Sequence, residues 1–238
     1  MESLLVFAKA PVPGKVKTRL AAERGVEAAT VLAAAFLDDT AELVARWRAE
    51  RVAVDPNRNL VFVCAPDAED PVLLRAAKRA GARTSVQVEG DLGARLRAAF
   101  DAEFKRGARA VCAIGMDSPT LPLHLVDHAF RALEWERVVL GPTFDGGYWL
   151  VGAQRPAPDL FTDIPWSTHA VLAKTLAHLR RQDVEPALLP FWYDVDEAAD
   201  LERLVWHVRA LRERDPAAAS STWGALVRIG LVREERAA

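Results

Sequence analysis

Ala110-Val-Cys-Ala-Ile-Gly-Met-Asp-Ser-Pro119 is the stretch that decides the fold of this 238-residue chain. Its first five residues are apolar, which is typical of a strand buried on both faces of a sheet. Gly115 and Pro119 then end the regular pairing. The carboxylate of Asp117 is therefore expected at the carboxyl end of a central strand, where open α/β sheets bind their ligands. The alternative is that Asp117 only caps a helix that begins near Pro122.

Composition excludes several classes of protein. Hydrophobic residues make up 51% of the chain and the formal net charge is −2. A sizeable core is therefore possible, and neither a general nucleic-acid surface nor a polybasic membrane patch is indicated. Cys64 and Cys112 fall inside predicted strands, which favours buried free thiols over a disulfide or a zinc site. The first residues do not resemble a signal peptide and no apolar run has membrane-spanning length, so we expect a cytoplasmic protein.

Apolar runs alternate with amphipathic stretches, which predicts a three-layer α/β fold with a mostly parallel sheet. Besides the first stretch, strands are predicted at 4–8, 60–65, 84–88, 137–141 and 148–151. Helices are predicted at 26–49, 71–79, 91–104, 123–133, 170–180 and 198–212, with Ser167 or Thr168 capping the fifth of these.

Without repeats or a long linker, one domain over residues 1–215 is the simpler interpretation. The tail, residues 216–238, carries a short amphipathic piece that we expect to pack on the same domain. Trp206, Trp223 and Leu226 offer an apolar surface that could pair two copies. The oligomeric state is otherwise open.

A basic loop, Lys9-Ala-Pro-Val-Pro-Gly-Lys-Val-Lys-Thr-Arg19, follows the first predicted strand. Its prolines stiffen it, and Gly14 allows close backbone approach or positive φ. Four cations can then face one anion: Lys9, Lys15, Lys17 and Arg19. A strand followed by such a loop favours a phosphate site over a solvated basic loop, although the spacing of a Walker loop is absent.

A second glycine-containing segment is Glu89-Gly-Asp-Leu-Gly-Ala-Arg95. Asp91 is a good N-cap for the helix that follows. Gly90 and Gly93 would let a ligand lie against the helix start, where the amides favour an anion or a base edge. Ordinary capping, with Arg95 on the surface, is equally consistent with this segment alone.

Two further places carry carboxylates. Asp145-Gly-Gly147 predicts a hairpin turn, and the aromatic residues beside it also suit a pocket wall for a polar ligand. Asp194 and Asp196 point the same way if their segment is extended. One of them could cap the next helix, while the other could complete an oxygen site with Asp117.

Six motifs occur together in a characteristic order. They are Phe7-Ala-Lys-Ala-Pro-Val-Pro-Gly-Lys-Val-Lys-Thr-Arg-Leu20, Gly90-Asp-Leu-Gly-Ala-Arg-Leu96, Gly115-Met-Asp-Ser-Pro119, Gly141-Pro-Thr-Phe-Asp-Gly-Gly-Tyr-Trp-Leu-Val-Gly152, Pro165-Trp-Ser-Thr168 and Asp194-Val-Asp196. The set, which covers about residues 4 to 205, resembles the bacterial glycosyltransferase-like family associated with radical-SAM and selenium-related domains, which includes arsenosugar-biosynthesis members. That family belongs to the nucleotide-diphospho-sugar transferase superfamily, with a GT-A, Rossmann-like fold. The set is also similar to the guanylyltransferases of molybdenum-cofactor and coenzyme F420 synthesis.

The resemblance implies roles for individual residues. The first loop would bind nucleotide phosphates through Ala8, Lys9, Gly14, Lys15, Lys17 and Arg19. The base or ribose would lie near Gly90, Asp91, Gly93 and Arg95. Asp117 would be the principal ligand of a Mg²⁺ or Mn²⁺ ion, with Asp194 or Asp196 as the later acidic ligand.

The resulting expectation is a metal-dependent glycosyltransferase that uses a nucleoside-diphosphate sugar and an unknown acceptor. Besides Asp117, the catalytic candidate is Asp145, which would orient or deprotonate an acceptor hydroxyl. The acceptor pocket would include Gly146, Gly147, Tyr148 and Trp166. One alternative is a nucleotidyltransferase that joins a nucleoside triphosphate to a phosphorylated small molecule and releases pyrophosphate. The other is a nucleotide-binding protein without catalysis.

Overall fold

The structure is a computed structural model that describes residues 1–51 and 58–233. Its strands are β1 (Glu2–Lys9), β2 (Arg58–Ala65), β3 (Arg83–Val86), β4 (Ala110–Ile114), β5 (Val138–Pro142), β6 (Tyr148–Gln154) and β7 (Ala187–Leu188). They form one sheet in the order β3-β2-β1-β4-β6-β5-β7. Strands β3, β2, β1 and β4 run parallel, and β6 is antiparallel to β4 and β5. The sheet is therefore mixed but mostly parallel, as predicted.

The helices of the described residues follow the six predicted ranges and the amphipathic piece predicted in the tail, with one addition. They are α1 (Thr18–Arg24), α2 (Val26–Arg51), α3 (Pro71–Arg79), α4 (Leu92–Lys105), α5 (Leu123–Ala132), α6 (Val171–Arg180), α7 (Ala198–Arg212) and α8 (Ser220–Arg228). The addition is α1, which begins inside the predicted basic loop. Within residues 1–51 and 58–233, no helix is long and apolar enough to cross a membrane.

The sheet is covered on both faces. Leu4 and Val6 of β1 point to one face, where they pack with residues of α2, α3 and α5. Leu5 points to the other face, where it packs with residues of α4 and α6. This alternation along a strand buried on both sides gives the three layers that were predicted. Cys64 and Cys112 are buried free thiols, also as predicted.

A third hydrophobic cluster lies outside the sheet, where α1, α7 and α8 pack on the outer side of α2. The carboxylate of Asp39 in α2 accepts hydrogen bonds from the backbone N–H groups of Ser221 (3.0 Å) and Thr222 (2.8 Å) at the start of α8. The predicted apolar surface is wrong for Leu226, which is fully buried, while Trp206 is 64% exposed. The last five residues of the predicted tail lie outside the described residues.

The predicted cap of α6 is also wrong. The residue at the N-cap position is Ala170, which provides no side-chain hydrogen bond. The Thr168 hydroxyl instead donates to the carbonyl of Pro165 (2.7 Å) and accepts from the N–H of Ala170 (3.2 Å). Thr168 therefore stabilises the turn that precedes the helix and does not cap the helix itself.

Two helical glycines should respond in opposite ways to the same substitution. A β carbon at Gly93 would lie 2.3 Å from the Trp166 Nε1 and 2.9 Å from the Phe161 carbonyl oxygen, whereas one at Gly224 would meet nothing within 4 Å. We expect Gly93→Ala to destabilise the fold by about 1–3 kcal/mol through overpacking. Gly224→Ala should stabilise it by about 0.5–1 kcal/mol because alanine favours helix. Urea unfolding measures both free energies, and equal effects would contradict the packing of Gly93.

Candidate functional site

The candidate site is a cleft at the carboxyl end of β1. This strand has β2 on one side and β4 on the other, so the connections that leave its neighbours diverge there and open a crevice. The cleft has a volume of about 370 Å³. It is lined by the loop after β1 together with Gln87, Met116, Asp117 and Asp196. The structure thus brings together residues that are distant in the sequence, at the edge predicted from the first stretch.

Lys17 is the centre of this cleft. Its ammonium group forms ion pairs with the Oδ1 atoms of Asp117 and Asp196, the latter at 2.8 Å. The side chain of Lys17 is only 5% exposed, while those of Asp117 and Asp196 are 45% and 43% exposed. The ammonium also lies 5.5 Å from the centre of the Phe36 ring. Two carboxylates from separate parts of the chain therefore converge on one cation.

The charge of Lys17 is set by two opposing effects. Burial favours the neutral amine, but the charges of Asp117 and Asp196 outweigh it and raise the pKa of Lys17 above its ordinary value. The group is consequently an ammonium ion at neutral pH. Its backbone has φ 44°, in the left-handed region that residues with a β carbon rarely adopt.

Asp117 does not cap a helix, so that alternative is wrong. The N-cap of α5 is Pro122, without a side-chain hydrogen bond. The carbonyl oxygen of Asp117 accepts from the N–H of Val195 at 3.0 Å. This bond joins the end of β4 to the segment that carries Asp194 and Asp196.

Neither aspartate of that segment caps α7. The N-cap position is occupied by Glu197. Asp200 reaches back, and its Oδ2 accepts from the N–H groups of Asp196 (3.0 Å) and Glu197 (2.9 Å). The expectation that Asp194 or Asp196 serves as the cap is therefore wrong. With the helix start satisfied by Asp200, the carboxylate of Asp196 is left to face Lys17.

Asp194 lies among other carboxylates. Burial raises its pKa, and the negative charges of Asp145, Asp196 and Asp117 add to the shift, so that the pKa reaches about 6. The four aspartates therefore share one electrostatic environment. This environment disfavours additional negative charge and favours a cation.

Asp145 occupies the predicted hairpin turn between β5 and β6. Its Oδ1 accepts from the Thr143 hydroxyl (2.5 Å) and from the N–H of Gly147 (3.0 Å). Gly146 has φ 88°, and a β carbon there would lie 2.1 Å from the carbonyl oxygen of His169. The turn thus fixes the position of an exposed carboxylate and packs against the loop before α6.

The cations of the first loop divide into two groups. Lys9, Lys15 and Arg19 are exposed on the cleft wall, and Arg19 approaches Glu197 at 3.4 Å. Lys17 alone of these four is buried in the ion pairs described above. Gly14 has φ 73°, so it supplies the positive φ that the sequence predicted. Ala8 also contributes to the lining, at the end of β1.

The glycine segment before α4 lies next to the cleft. Asp91 caps α4 by accepting from the N–H of Ala94 at 2.8 Å. Arg95 donates to the carbonyl of Gly90 (3.0 Å) and to the Gln87 Oε1 (3.3 Å). The face of Gly93 is filled by Trp166, so this glycine serves close packing, while Gln87 connects the segment to the cleft.

The predicted acceptor residues lie mostly on the other side of the sheet. Tyr148 and Trp166 contact each other edge to face at 6.2 Å and pack against the cluster of α4 and α6. Burial raises the pKa of the Tyr148 hydroxyl well above its ordinary value. The walls of any acceptor pocket near Gly146 and Gly147 would therefore be largely apolar.

Sequence reasoning missed four residues of this region. Gln87 and Met116 line the cleft, and Met116 accepts a hydrogen bond from the N–H of Lys9 at 3.4 Å. Phe144 and Phe191 are exposed aromatic side chains whose ring centres are 5.4 Å apart. Phe144 directly precedes Asp145 in the sequence. Phe144 and Met116 could have been found from the sequence because each directly precedes a predicted site residue, Asp145 and Asp117 respectively. Nothing local distinguishes Gln87 or Phe191.

The carboxylates of Asp117 and Asp196, which contact Lys17, are suitable ligands for a hard divalent cation. In the described part of the chain, no group of three or more histidine, cysteine, aspartate or glutamate side chains is arranged to hold a metal ion. Mg²⁺, however, is usually bound through one or two carboxylates, with water and substrate phosphates completing its shell. Two half-exposed carboxylates that already meet one cation, beside exposed lysines, match that mode of binding.

Comparisons with known proteins agree with this architecture. The profile of the family described as "Uncharacterized protein conserved in bacteria (DUF2064)" matches residues 48–168. A solved structure from Desulfovibrio desulfuricans G20, provisionally named a nucleotide-diphospho-sugar transferase, is 30% identical. The alignment covers 95% of this chain and 94% of that protein, with a TM-score of 0.76. No curated protein matches the chain.

Two more distant structures share the fold. A CMP:2-keto-3-deoxy-manno-octonic acid synthetase complexed with CTP is 10% identical, with a TM-score of 0.53 over 90% of this chain and 99% of that one. The inositol-1-phosphate CTP transferase from T. maritima is 13% identical, with a TM-score of 0.53 over 87% of this chain and 93% of that one. The chain therefore has the nucleotide-diphospho-sugar transferase fold that the sequence resemblance implied.

The raised pKa of Asp194 predicts a specific pH dependence of stability. Folding raises the pKa from 3.8 to about 6, so the favourable contribution of the protonated group is complete below about pH 4 and is lost as the pH rises through 6. In metal-free buffer, Asp194→Asn should change the melting temperature little at pH 4 and raise it at pH 7. Calorimetric scans of both proteins check this. A difference in melting temperature that does not grow with pH would contradict it.

Proposed function

Because the chain belongs to the DUF2064 family and carries a cation-centred acidic cleft beside a basic loop, we propose that it is a metal-dependent glycosyltransferase. Its donor would be a nucleoside-diphosphate sugar. The observation that carries this proposal is the convergence of Asp117 and Asp196 on Lys17 at the end of β1. The provisional name of the Desulfovibrio structure, which shares 30% of its sequence with this chain, supports the same class of reaction. The radical-SAM, selenium and arsenosugar associations stay predictions.

The diphosphate would lie along the basic wall of the cleft. Lys9, Lys15 and Arg19 are exposed there and can donate charge-assisted hydrogen bonds to phosphate oxygens. The nucleoside would extend toward Gln87 and the segment from Gly90 to Arg95. A hydrogen bond from Arg95 to Gln87 connects that segment to the cleft. These cations would stabilise the negative charge that grows on the leaving diphosphate as the sugar departs.

Asp117 and Asp196 would hold the Mg²⁺ or Mn²⁺ ion. When bound, the ion would supply Lewis-acid stabilisation of the diphosphate. Asp194 lies close enough to raise the local negative potential, although burial keeps its own carboxylate partly protected from solvent. We assign the ligand role within the 194–196 pair to Asp196 because its carboxylate faces the same cation as that of Asp117.

Asp145 would act on the acceptor side. Its Oδ1 is held by Thr143 and Gly147, so the carboxylate has a defined position at the edge of the cleft region. It would orient the acceptor hydroxyl and accept its proton as the new glycosidic bond forms. The acceptor would approach the turn beside Gly147, while Gly146 packs against the carbonyl of His169 and Tyr148 and Trp166 support the turn from the opposite face.

A nucleotidyltransferase is the second candidate because the cations on the first loop could also accommodate a triphosphate. Incubation with each nucleoside triphosphate and a pool of phosphorylated acceptors should release no pyrophosphate, whereas incubation with nucleoside-diphosphate sugars should release nucleoside diphosphate. An enzyme-coupled pyrophosphate assay and chromatography of the nucleotides measure the two products. Pyrophosphate release that depends on acceptor would replace sugar transfer with nucleotidyl transfer. Binding of nucleotides without either product would favour the non-catalytic alternative.

Asp117→Asn tests the metal site directly. Asparagine nearly keeps the shape of aspartate but removes the charge that a divalent ion requires. We expect Mn²⁺-dependent nucleotide binding and turnover to fall about 10- to 100-fold, in line with the roughly 1.5–3 kcal/mol typical of an interaction with a charged group. Isothermal calorimetry measures the affinity, with and without Mn²⁺.

The matched control is Asp70→Asn. Asp70 caps α3 by accepting from the N–H groups of Val72 and Leu73, and asparagine can accept the same bonds. This variant should bind nucleotide like the wild type. An Asp117→Asn protein that is folded and retains full metal dependence would remove Asp117 from the proposed site.

A further inference from the structure

We propose that Lys17 is an internal cation that occupies the metal position between Asp117 and Asp196 until nucleotide arrives, and then transfers its charge to the phosphates. This inference rests on the proposed function. It adds a positioning role for Lys17 that makes the binding of metal and the binding of nucleotide depend on each other.

The geometry is the first step. The Lys17 ammonium contacts the Oδ1 atoms of both aspartates, which come from the end of β4 and from the segment before α7. Lysine is a compact point charge with three donors, so it can contact both carboxylates at once and offset one of their two negative charges. The ammonium is buried, while about half of each aspartate side chain stays exposed to the cleft. A divalent ion that enters from solvent therefore meets the same two carboxylates.

Electrostatics makes the two cations exclusive. Mg²⁺ binds carboxylate oxygens at about 2.0–2.1 Å. An ammonium group in contact with the same oxygen atoms would then lie only a few ångströms from the metal, where like charges repel strongly even at an effective dielectric constant of about 20. Binding of the metal therefore requires Lys17 to leave at least one of its partners.

The cleft offers Lys17 a second position. Its four-carbon side chain is flexible, and its backbone belongs to the same wall as Lys15 and Arg19. Without nucleotide, that wall is rich in positive charge, and the carboxylate beside it, Glu197, is already paired with Arg19 at 3.4 Å. A bound diphosphate would provide a further anion. Metal alone should therefore bind weakly, and metal with nucleotide should bind well.

The coupling works in both directions. A ligand that strengthens the binding of another is itself strengthened by the same factor. Lys17 would thus disfavour a bare metal ion in the cleft and favour the metal–nucleotide pair. The sparsely populated left-handed backbone of Lys17 fits a residue held in place for such a role.

The test measures Mn²⁺ binding to the full-length, nucleotide-free protein, by calorimetry and by electron paramagnetic resonance of free Mn²⁺. Lys17→Met removes the charge with little change in volume. It should bind Mn²⁺ about tenfold or more tightly than the wild type. In EDTA its melting temperature should fall, because Asp117 and Asp196 lose their partner, and Mn²⁺ should restore it. A gain of metal affinity is not expected from a residue that only supports the fold.

Lys15→Met is the matched control, since it removes a cation from the exposed wall of the same loop. Its effect on the affinity for Mn²⁺ alone should be well under tenfold. If the Lys17→Met variant does not fold without metal, Lys17→Gln, purified with Mn²⁺, serves as the second neutral variant. It too should bind Mn²⁺ more tightly than the wild type.

The outcomes separate this inference from the proposed function. Equal Mn²⁺ affinity in the wild type and in the neutral Lys17 variants, with metal-dependent nucleotide binding intact, would overturn the role of Lys17 and leave the proposed function standing. Absence of Mn²⁺ binding in every protein, even with a nucleoside-diphosphate sugar present, would overturn both. Tighter binding in the Lys17 variants only would support the inference.

Discussion

The position of β1 between two parallel neighbours is the constraint on which the rest of this structure depends. At its carboxyl end, the connection after β2 leads toward β3 and the connection after β4 leads toward β5, in opposite directions along the sheet, so a crevice opens there without any special sequence. The loop after β1 and the residues after β4 necessarily meet at that crevice. The chain then adds its later segment through the hydrogen bond from the Val195 N–H to the Asp117 carbonyl. A site with three remote contributors thus follows from one feature of the topology.

The charged side chains at the amino ends of the strands differ in environment from those at the carboxyl ends. At the amino edge, Arg58 is buried with Glu2 (3.1 Å) and Asp127 (3.4 Å) and lies 4.3 Å from the Trp47 ring. At the same edge, buried Glu103 accepts from Ser3, Asn59 and Arg83. Such largely buried charge pairs are costly to break and hold the strands in register. At the carboxyl ends of the strands, Asp117 and Asp196 are about half exposed, which is what the proposed exchange of their cation requires. Stability and ligand binding are therefore separated along the strands.

Much of the fold was predictable because its signals are local. Apolar runs located the central strands, Asp91 capped α4 as its position before the helix indicated, and the Asp145 turn joined two antiparallel strands. Helix α1 was missed because its residues begin inside a loop with many cations, where charge hides a short helical pattern. The alternative that Asp117 is a cap, and the expectation that Asp194 or Asp196 caps α7, are wrong because Pro122 and Glu197 occupy those N-cap positions and Asp200 satisfies the start of α7.

What the sequence could not provide was the pairing of side chains across the cleft. Lys15 and Lys17 are alike in the sequence, yet one is exposed and the other is 5% exposed between two carboxylates. That difference depends on where β4 and the 194–196 segment meet the loop, which is a tertiary property. The same is true of Gly93, whose small size serves Trp166 rather than a ligand approach.

The balance of charge in the cleft bears on the choice between donors. Four cations of the first loop, Lys9, Lys15, Lys17 and Arg19, face a region with four aspartates: Asp117, Asp145, Asp194 and Asp196. A diphosphate diester brings two negative charges and a divalent ion brings two positive ones, so the pair enters without disturbing this balance. Either component alone would change it. Burial and then the charges of the other three aspartates raise the pKa of Asp194, and those same charges oppose extra negative charge. A triphosphate with one metal ion would leave an excess of negative charge beside those carboxylates. In the proposed function, the metal–diphosphate pair would therefore enter the cleft without a net change of charge.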